Sequence, residues 1–167
     1  MAFTAAPAAG AKLRASVLNA LITEVRPVSA RKTSTQTVNN STTLVNDTEL
    51  FVAAEASVTY LAEIKIYYNS GTTPDIKFAL TVPAGTTGTW GGVGYDTASA
   101  LLTFGPLSIA VALPFGGLAA DKEARLNAVI VTSTTAGTIQ VQWAQNTLNA
   151  SNTNVLAGSY ITLKRIS

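Results

Sequence analysis

The residues of this chain best suited to chemistry are two carboxylate pairs, Asp47 with Glu49 and Asp121 with Glu123, each two positions apart. On a β-strand such positions share a face. Each pair could therefore bind Ca2+ through oxygen ligands, or act as acid and base in glycoside hydrolysis. Both pairs fall at expected loop–strand boundaries, where acidic side chains commonly sit solvated. Residues 83–96, Pro-Ala-Gly-Thr-Thr-Gly-Thr-Trp-Gly-Gly-Val-Gly-Tyr-Asp, raise a second chemical prospect. Their glycines are too irregular for a phosphate cradle. No helix follows them, and no Lys-Ser/Thr is present to hold a phosphate and Mg2+. This stretch is expected to be a loop. Its Trp90 and Tyr95 either form an exposed recognition platform or cap one end of the core.

Two absences weigh more than these pairs. The 167 residues include no Cys, hence no thiol nucleophile, disulfide or Cys-based zinc site. There is also no His, which removes the commonest general base and the commonest metal ligand together. A Ser-His-Asp triad is impossible, and no Gly-x-Ser-x-Gly elbow occurs. The expectation is a protein that is not an enzyme and takes no cofactor or metal. Lys65 and Lys77 read as solvent-side strand residues. The Gln- and Asn-rich stretch from Gln140 to Asn154 is suited to carbohydrate contact, to a subunit interface or to uncharged solvent surface.

Charged residues make up only 12% of the chain, against 47% hydrophobic. Charge is depleted at the cores of interfaces, so apolar surface covered by another subunit is expected. The net charge of +2 is unevenly placed. Residues 1–32 hold Lys12, Arg14, Arg26, Arg31 and Lys32 against Glu24, a net +4, which leaves −2 for the remainder. A basic arm docking on an acidic protein surface fits this better than nucleic-acid binding, because no Arg/Lys cluster is interleaved with stacking aromatics. Met1-Ala-Phe-Thr-Ala-Ala-Pro lacks the basic and apolar regions of a secretory signal. No apolar run approaches the length of a membrane span.

The elements that must position these residues divide near Arg31-Lys32. Within residues 11–25, Leu13, Val17, Leu21 and Val25 recur every fourth position, with Leu18 and Ile22 widening the stripe. That spacing predicts an amphipathic helix, ended by Arg26-Pro27. These six apolar residues, with Arg31 and Lys32, are the candidate assembly and anchoring residues. So short a helix is marginal alone in water and must pack on its own body, on symmetry mates or on another protein. Residues 33–167 are expected to form about eight strands: Thr33–Val38, Glu49–Glu55, Val58–Asn69, Asp75–Val82, Leu101–Leu113, Glu123–Ser133, Thr138–Asn146 and Val155–Ile166. Pro106 and Pro114 mark the fifth as an edge strand or a broken pair. The resulting fold class is all-β, a jelly-roll-like antiparallel sandwich with a helical arm at residues 1–32.

Lys12-Leu-Arg-Ala-Ser-Val-Leu-Asn-Ala-Leu, Arg31-Lys-Thr and Asn40-Ser-Thr-Thr-Leu-Val-Asn-Asp-Thr-Glu-Leu, followed by Val141-Gln-Trp-Ala-Gln-Asn and Thr153-Asn-Val-Leu-Ala-Gly-Ser-Tyr-Ile, resemble segments of small virion structural proteins of tailed bacteriophages. The resemblance implies a compact jelly-roll-like body, a homotrimer, attached to the particle through its N-terminal segment. The implied partners are other virion proteins, such as the major capsid or a tail protein. The implied location is the virion, assembled in the host cytoplasm. It carries over no catalytic residues. Bodies of this kind decorate capsids or form tail and fibre tips, where receptor or carbohydrate binding is the alternative role.

Overall fold

The computed structural model describes Ala15, residues 26–98 and residues 100–167. These contain twelve strands: β1 (Val28–Arg31), β2 (Gln36–Val38), β3 (Val45–Ala54), β4 (Thr59–Asn69), β5 (Ile76–Thr81), β6 (Thr87–Tyr95), β7 (Leu101–Ser108), β8 (Leu113–Phe115), β9 (Lys122–Val131), β10 (Gly137–Ala144), β11 (Thr153–Val155) and β12 (Tyr160–Arg165). They form an eight-stranded and a four-stranded sheet, and every pairing is antiparallel.

The strands β3 to β10 carry the wiring. β3 pairs with β10, β4 with β9, β5 with β8 and β6 with β7. The chain is thus one long hairpin, closed between β6 and β7 and rolled so that successive pairs fall in opposite sheets. β10 then joins β5 in the small sheet, and β9 joins β6 in the large one. This nesting is the wiring of a jelly roll. The other four strands widen the large sheet beyond β4. β12 pairs along most of β4 with β1 outside it, while β11 and β2 add at the far end of β4. Both terminal parts of the described chain therefore meet at one edge.

Alternation drives this arrangement. In β4, Tyr60, Ala62, Ile64, Ile66 and Tyr68 are buried while Leu61 and Glu63 face out. β9 does the same with Leu126, Ala128 and Ile130, and β10 with Ile139, Val141 and Trp143. Burying each such side chain contributes about 1.5–3 kcal/mol. An aromatic ladder crosses between the sheets: Tyr68 meets Phe78 edge-on at 5.9 Å, Phe78 meets Phe115 at 5.4 Å, and Phe115 meets Phe104 at 4.5 Å.

Three expectations are corrected by the pairings. Twelve strands exist rather than about eight, the additional ones being β1, β6, β8 and β11. β1 lies within the expected arm of residues 1–32, held by four register partners on β12. β6 occupies the expected glycine-rich loop, and its glycines are packing devices. A Cβ at Gly91 would stand 2.3 Å from the Phe104 carbonyl oxygen. Gly105, opposite it on β7, has φ +85°, a left-handed conformation that glycine adopts without penalty. The β6–β7 register shifts between Trp90 and Gly92. The two proline-bearing segments do form edges, β7 of the large sheet and β8 of the small one. The expected helix and its Leu13, Val17, Leu18, Leu21, Ile22 and Val25 lie outside the described residues.

Candidate interaction surface

The outer face of the large sheet is built from residues in register across strands remote in sequence. One row runs from Lys164 on β12 through Leu61 on β4 and Val129 on β9 to Thr89 on β6 and Ser108 on β7. The next runs Ser29, Thr162, Glu63, Asn127 and Gly91. Gly91 and Gly105 contribute no side chains there. The result is an open groove of about 760 Å³ whose walls include Pro27, Leu61, Val93, Pro106, Val129 and Lys164. Leu61, Val93 and Val129 are each exposed by 42–43%. A solvated sheet face ordinarily alternates to polar residues. Here Leu61, Val93 and Val129 stand exposed among Glu63, Thr89, Asn127, Thr162 and Lys164.

A charged row borders the groove. Arg31 on β1 is in register with Tyr160, Tyr160 with Lys65 and Lys65 with Arg125. Glu123 takes an ion pair from Lys65 at 2.9 Å and a hydrogen bond from Arg125 Nε at 2.7 Å. The hydrogen bond from Lys65, with that from Arg125, holds the Glu123 carboxyl below the usual range. Tyr160 donates to Glu63 at 2.7 Å, which raises the phenol. Such exposed pairs set orientation and contribute little stability.

The candidate anchoring residues separate in space. Arg31 is exposed at the end of β1. Lys32, expected beside it in the arm, is wholly buried in the body. Its backbone donates to the Ser159 carbonyl at 2.8 Å and accepts from Gly158 N–H at 2.9 Å. Its Nζ reaches 3.0 Å from Asp47 Oδ1 and 3.4 Å from Gln36 Oε1, with Glu49 Oε1 at 3.9 Å. Asp47 is buried too and also accepts from the Glu49 and Leu50 N–H groups, each at 3.0 Å. Asp47 Oδ2 finds no donor among the described residues. The pair thus joins the edge of the large sheet to β3 of the small one. The expected boundary at residue 32 falls inside the fold. Before Val28 only Lys12, Arg14 and Arg26 stand against Glu24, a net +2, and the chain's net charge of +2 then leaves the body neutral.

The two members of each carboxylate pair are held by separate hydrogen-bond partners. Glu49 is taken up by the hydroxyls and N–H groups of Thr33 and Ser34. Those hydrogen bonds, the Ser34 hydroxyl first, lower its pKa from 4.5 to about 2. Asp121 accepts from Asn69 Nδ2 at 2.8 Å, separately from Glu123. Among the described residues no three acidic side chains gather to hold a metal ion.

Trp90 is 2% exposed and points into the core, its Nε1–H donating to the Val111 carbonyl at 3.0 Å. Tyr95 is half-buried at the end of β6, with Lys122 Nζ 5.1 Å from its ring centre. They do not form a shared exposed platform. The amide-rich stretch is largely engaged internally. Gln140 Nε2 donates to the Asp47 carbonyl, Gln142 Nε2 to Asn46 Oδ1, and buried Gln145 ties Ser41, Asn149 and Ser151 together. Sequence reasoning missed Asp75, a buried carboxylate that accepts from Gly117 N–H at 2.7 Å and whose pKa burial raises. It also missed the groove, whose only local trace is the glycine spacing of residues 88–94.

No protein-family model and no curated protein matches the chain. Among solved structures it is similar to the tripod from the baseplate of bacteriophage Tuc2009. That match has 11% identity and a TM-score of 0.36, covering 99% of this chain and 76% of that one. It is also similar to the infectious bursal disease virus Gx strain structure, at 11% identity and TM-score 0.28, and to the VP2 subviral particle of that virus, at 6% and 0.24. Each covers 85% of this chain, which spans 36% and 38% of those two chains. Likenesses of this degree carry no argument about role.

Proposed function

We propose that this chain is a non-enzymatic virion structural protein, a capsid decoration or minor capsid subunit. Its β-body assembles as a homotrimer, and its N-terminal segment docks the body on the particle. The observation that carries this reading is the groove on the outer face of the large sheet, where Leu61, Val93 and Val129 stand exposed around Gly91 and Gly105. Exposed apolar side chains grouped at the centre of a sheet are the kind of surface that another protein segment covers. The sequence resemblance supplies the virion context. The low charge of the chain agrees, since interface cores are depleted in charge.

A tail-tip module that binds carbohydrate or receptor draws less from the molecule. Trp90 is turned inward, and Gln140, Gln142 and Gln145 are engaged in internal hydrogen bonds. Light scattering on the isolated protein tests the assembly: a trimer is expected at micromolar concentration, and a stable monomer contradicts it. Deleting residues 1–25 is expected to leave a folded body that no longer joins particles. Retained incorporation would remove the docking role from that segment.

A further inference from the structure

We infer that Lys32 and Asp47 condense to an isopeptide bond, a covalent tie between the two sheets of the body. Lys32 follows β1 at the edge of the large sheet, and Asp47 sits in β3 of the small one. Both side chains are fully shielded from water. Away from water a charged pair loses its advantage over the neutral amine and acid. The neutral forms are the ones that react.

The fold holds the two reactants together. The Lys32 backbone is pinned by Ser159 and Gly158, and its Nζ stands 3.0 Å from Asp47 Oδ1. Gln36 Oε1 accepts from the same nitrogen at 3.4 Å and fixes its direction. The two oxygens of Asp47 are placed differently. Oδ1 also accepts from the Glu49 and Leu50 N–H groups, each at 3.0 Å, the kind of donor pair that stabilises an oxyanion. Oδ2 has no donor among the described residues, so no hydrogen bond opposes its departure. Contacts held in this way replace an encounter in solution and raise the effective concentration of the amine at the carboxyl carbon.

The step balances without any other reactant. One ammonium proton passes to Asp47 Oδ2, which leaves a neutral amine and a carboxylic acid. The nitrogen lone pair attacks the carboxyl carbon, and the C–O π electrons move onto Oδ1 beneath its two N–H donors. Glu49 Oε1, held by Ser34 and 3.9 Å from Nζ, takes a second proton from the nitrogen and delivers it to the Oδ2 hydroxyl. The Cγ–Oδ2 bond then breaks and Oδ2 leaves as water with both protons. The third stays on the amide nitrogen. The ion pair is the reactant state, and its energetics are those of the unlinked chain. In a chain without cysteine, this amide supplies the kind of cross-link that a disulfide would.

Tryptic digestion of the denatured full-length protein, read by mass spectrometry, tests the bond. An unlinked chain is cut after Lys32 and after Lys65 and releases residues 33–65. A linked chain resists cutting after Lys32. It gives residues 32–65 as one peptide, lighter by one water, with no fragment ions from the closed loop between Lys32 and Asp47. Asp47 closing on its own backbone would also lose water, but it would leave Lys32 open to trypsin and would persist in Lys32→Met. Glu49→Gln keeps an acceptor for Thr33 and Ser34 but cannot carry the proton, and should slow linkage about a hundredfold. Linkage at the parent rate in Glu49→Gln would overturn the part given to Glu49. Release of residues 33–65 at full mass from protein aged for several days would overturn the inference, as would a water loss that survives Lys32→Met.

Discussion

Replacing Lys32 by Met removes the ammonium and keeps most of the stem's volume. It leaves Asp47 buried with only the Glu49 and Leu50 N–H groups as donors to Oδ1, at 3.0 Å each. Both members of the pair are fully shielded from water. Breaking a buried pair from one side costs about 3–5 kcal/mol, because the remaining charge stays desolvated. For a body of this size each kcal/mol moves Tm by about 3 °C, so Lys32→Met should lower Tm by roughly 9–15 °C. Arg31→Ala, one residue earlier and exposed, should stay within about 0.5 kcal/mol of the parent. Replacing both partners, Lys32→Met with Asp47→Leu, should recover much of the loss, since a buried ion pair exchanged for apolar groups is often neutral. Thermal unfolding followed by circular dichroism reads all three. Equal small shifts for Lys32→Met and Arg31→Ala would refute the placement of Lys32 in the body and restore it to the arm.

The Glu49 carboxyl, lowered to about 2 by its Thr33 and Ser34 donors, is a depressed acid. Its stabilising contribution is complete above its ordinary 4.5 and disappears as pH falls through about 2. Glu49→Gln should accordingly flatten the acid limb of the stability–pH curve between those values; an unchanged limb would contradict the hydrogen-bonding. The two tryptophans, Trp90 and Trp143, are both buried. Native emission should be blue-shifted and weakly quenched by acrylamide, whereas strong quenching would place Trp90 on the surface. Gly91→Ala drives a methyl into the Phe104 carbonyl oxygen and should destabilise by about 1–3 kcal/mol, measured by urea unfolding. A neutral result would contradict the β6–β7 approach.

How far the fold was legible follows from where each strand gets its order. β4, β9 and β10 are buried on one face only, so their apolar residues alternate and the strands show themselves in sequence. β1, β2 and β11 are three or four residues long, too short for an apolar alternation to show. β1 draws its order from β12, β11 from β4 and β2 from β11; of the three only β2, within Thr33–Val38, shows strand character in the sequence. In β6 the glycines that permit close backbone approach also erase the alternation, so the strand reads as a loop. Lys32 is a similar case. A lysine beside an arginine, next to a basic segment, reads as arm, while its partner Asp47 lies fifteen residues on, at what reads as a loop boundary. The groove was least legible of all. It is assembled from β12, β4, β9, β6 and β7, whose order in the sheet is set by the nested wiring and not by their order in the chain.

The central claim is that this jelly-roll-wired body is a structural subunit of a virion. Cryo-electron microscopy of purified particles tests it most directly. The account predicts symmetric copies of the twelve-stranded body on the particle, with residues 1–26 at the contact that attaches each copy. Particles that assemble at full yield and carry no such density would contradict it.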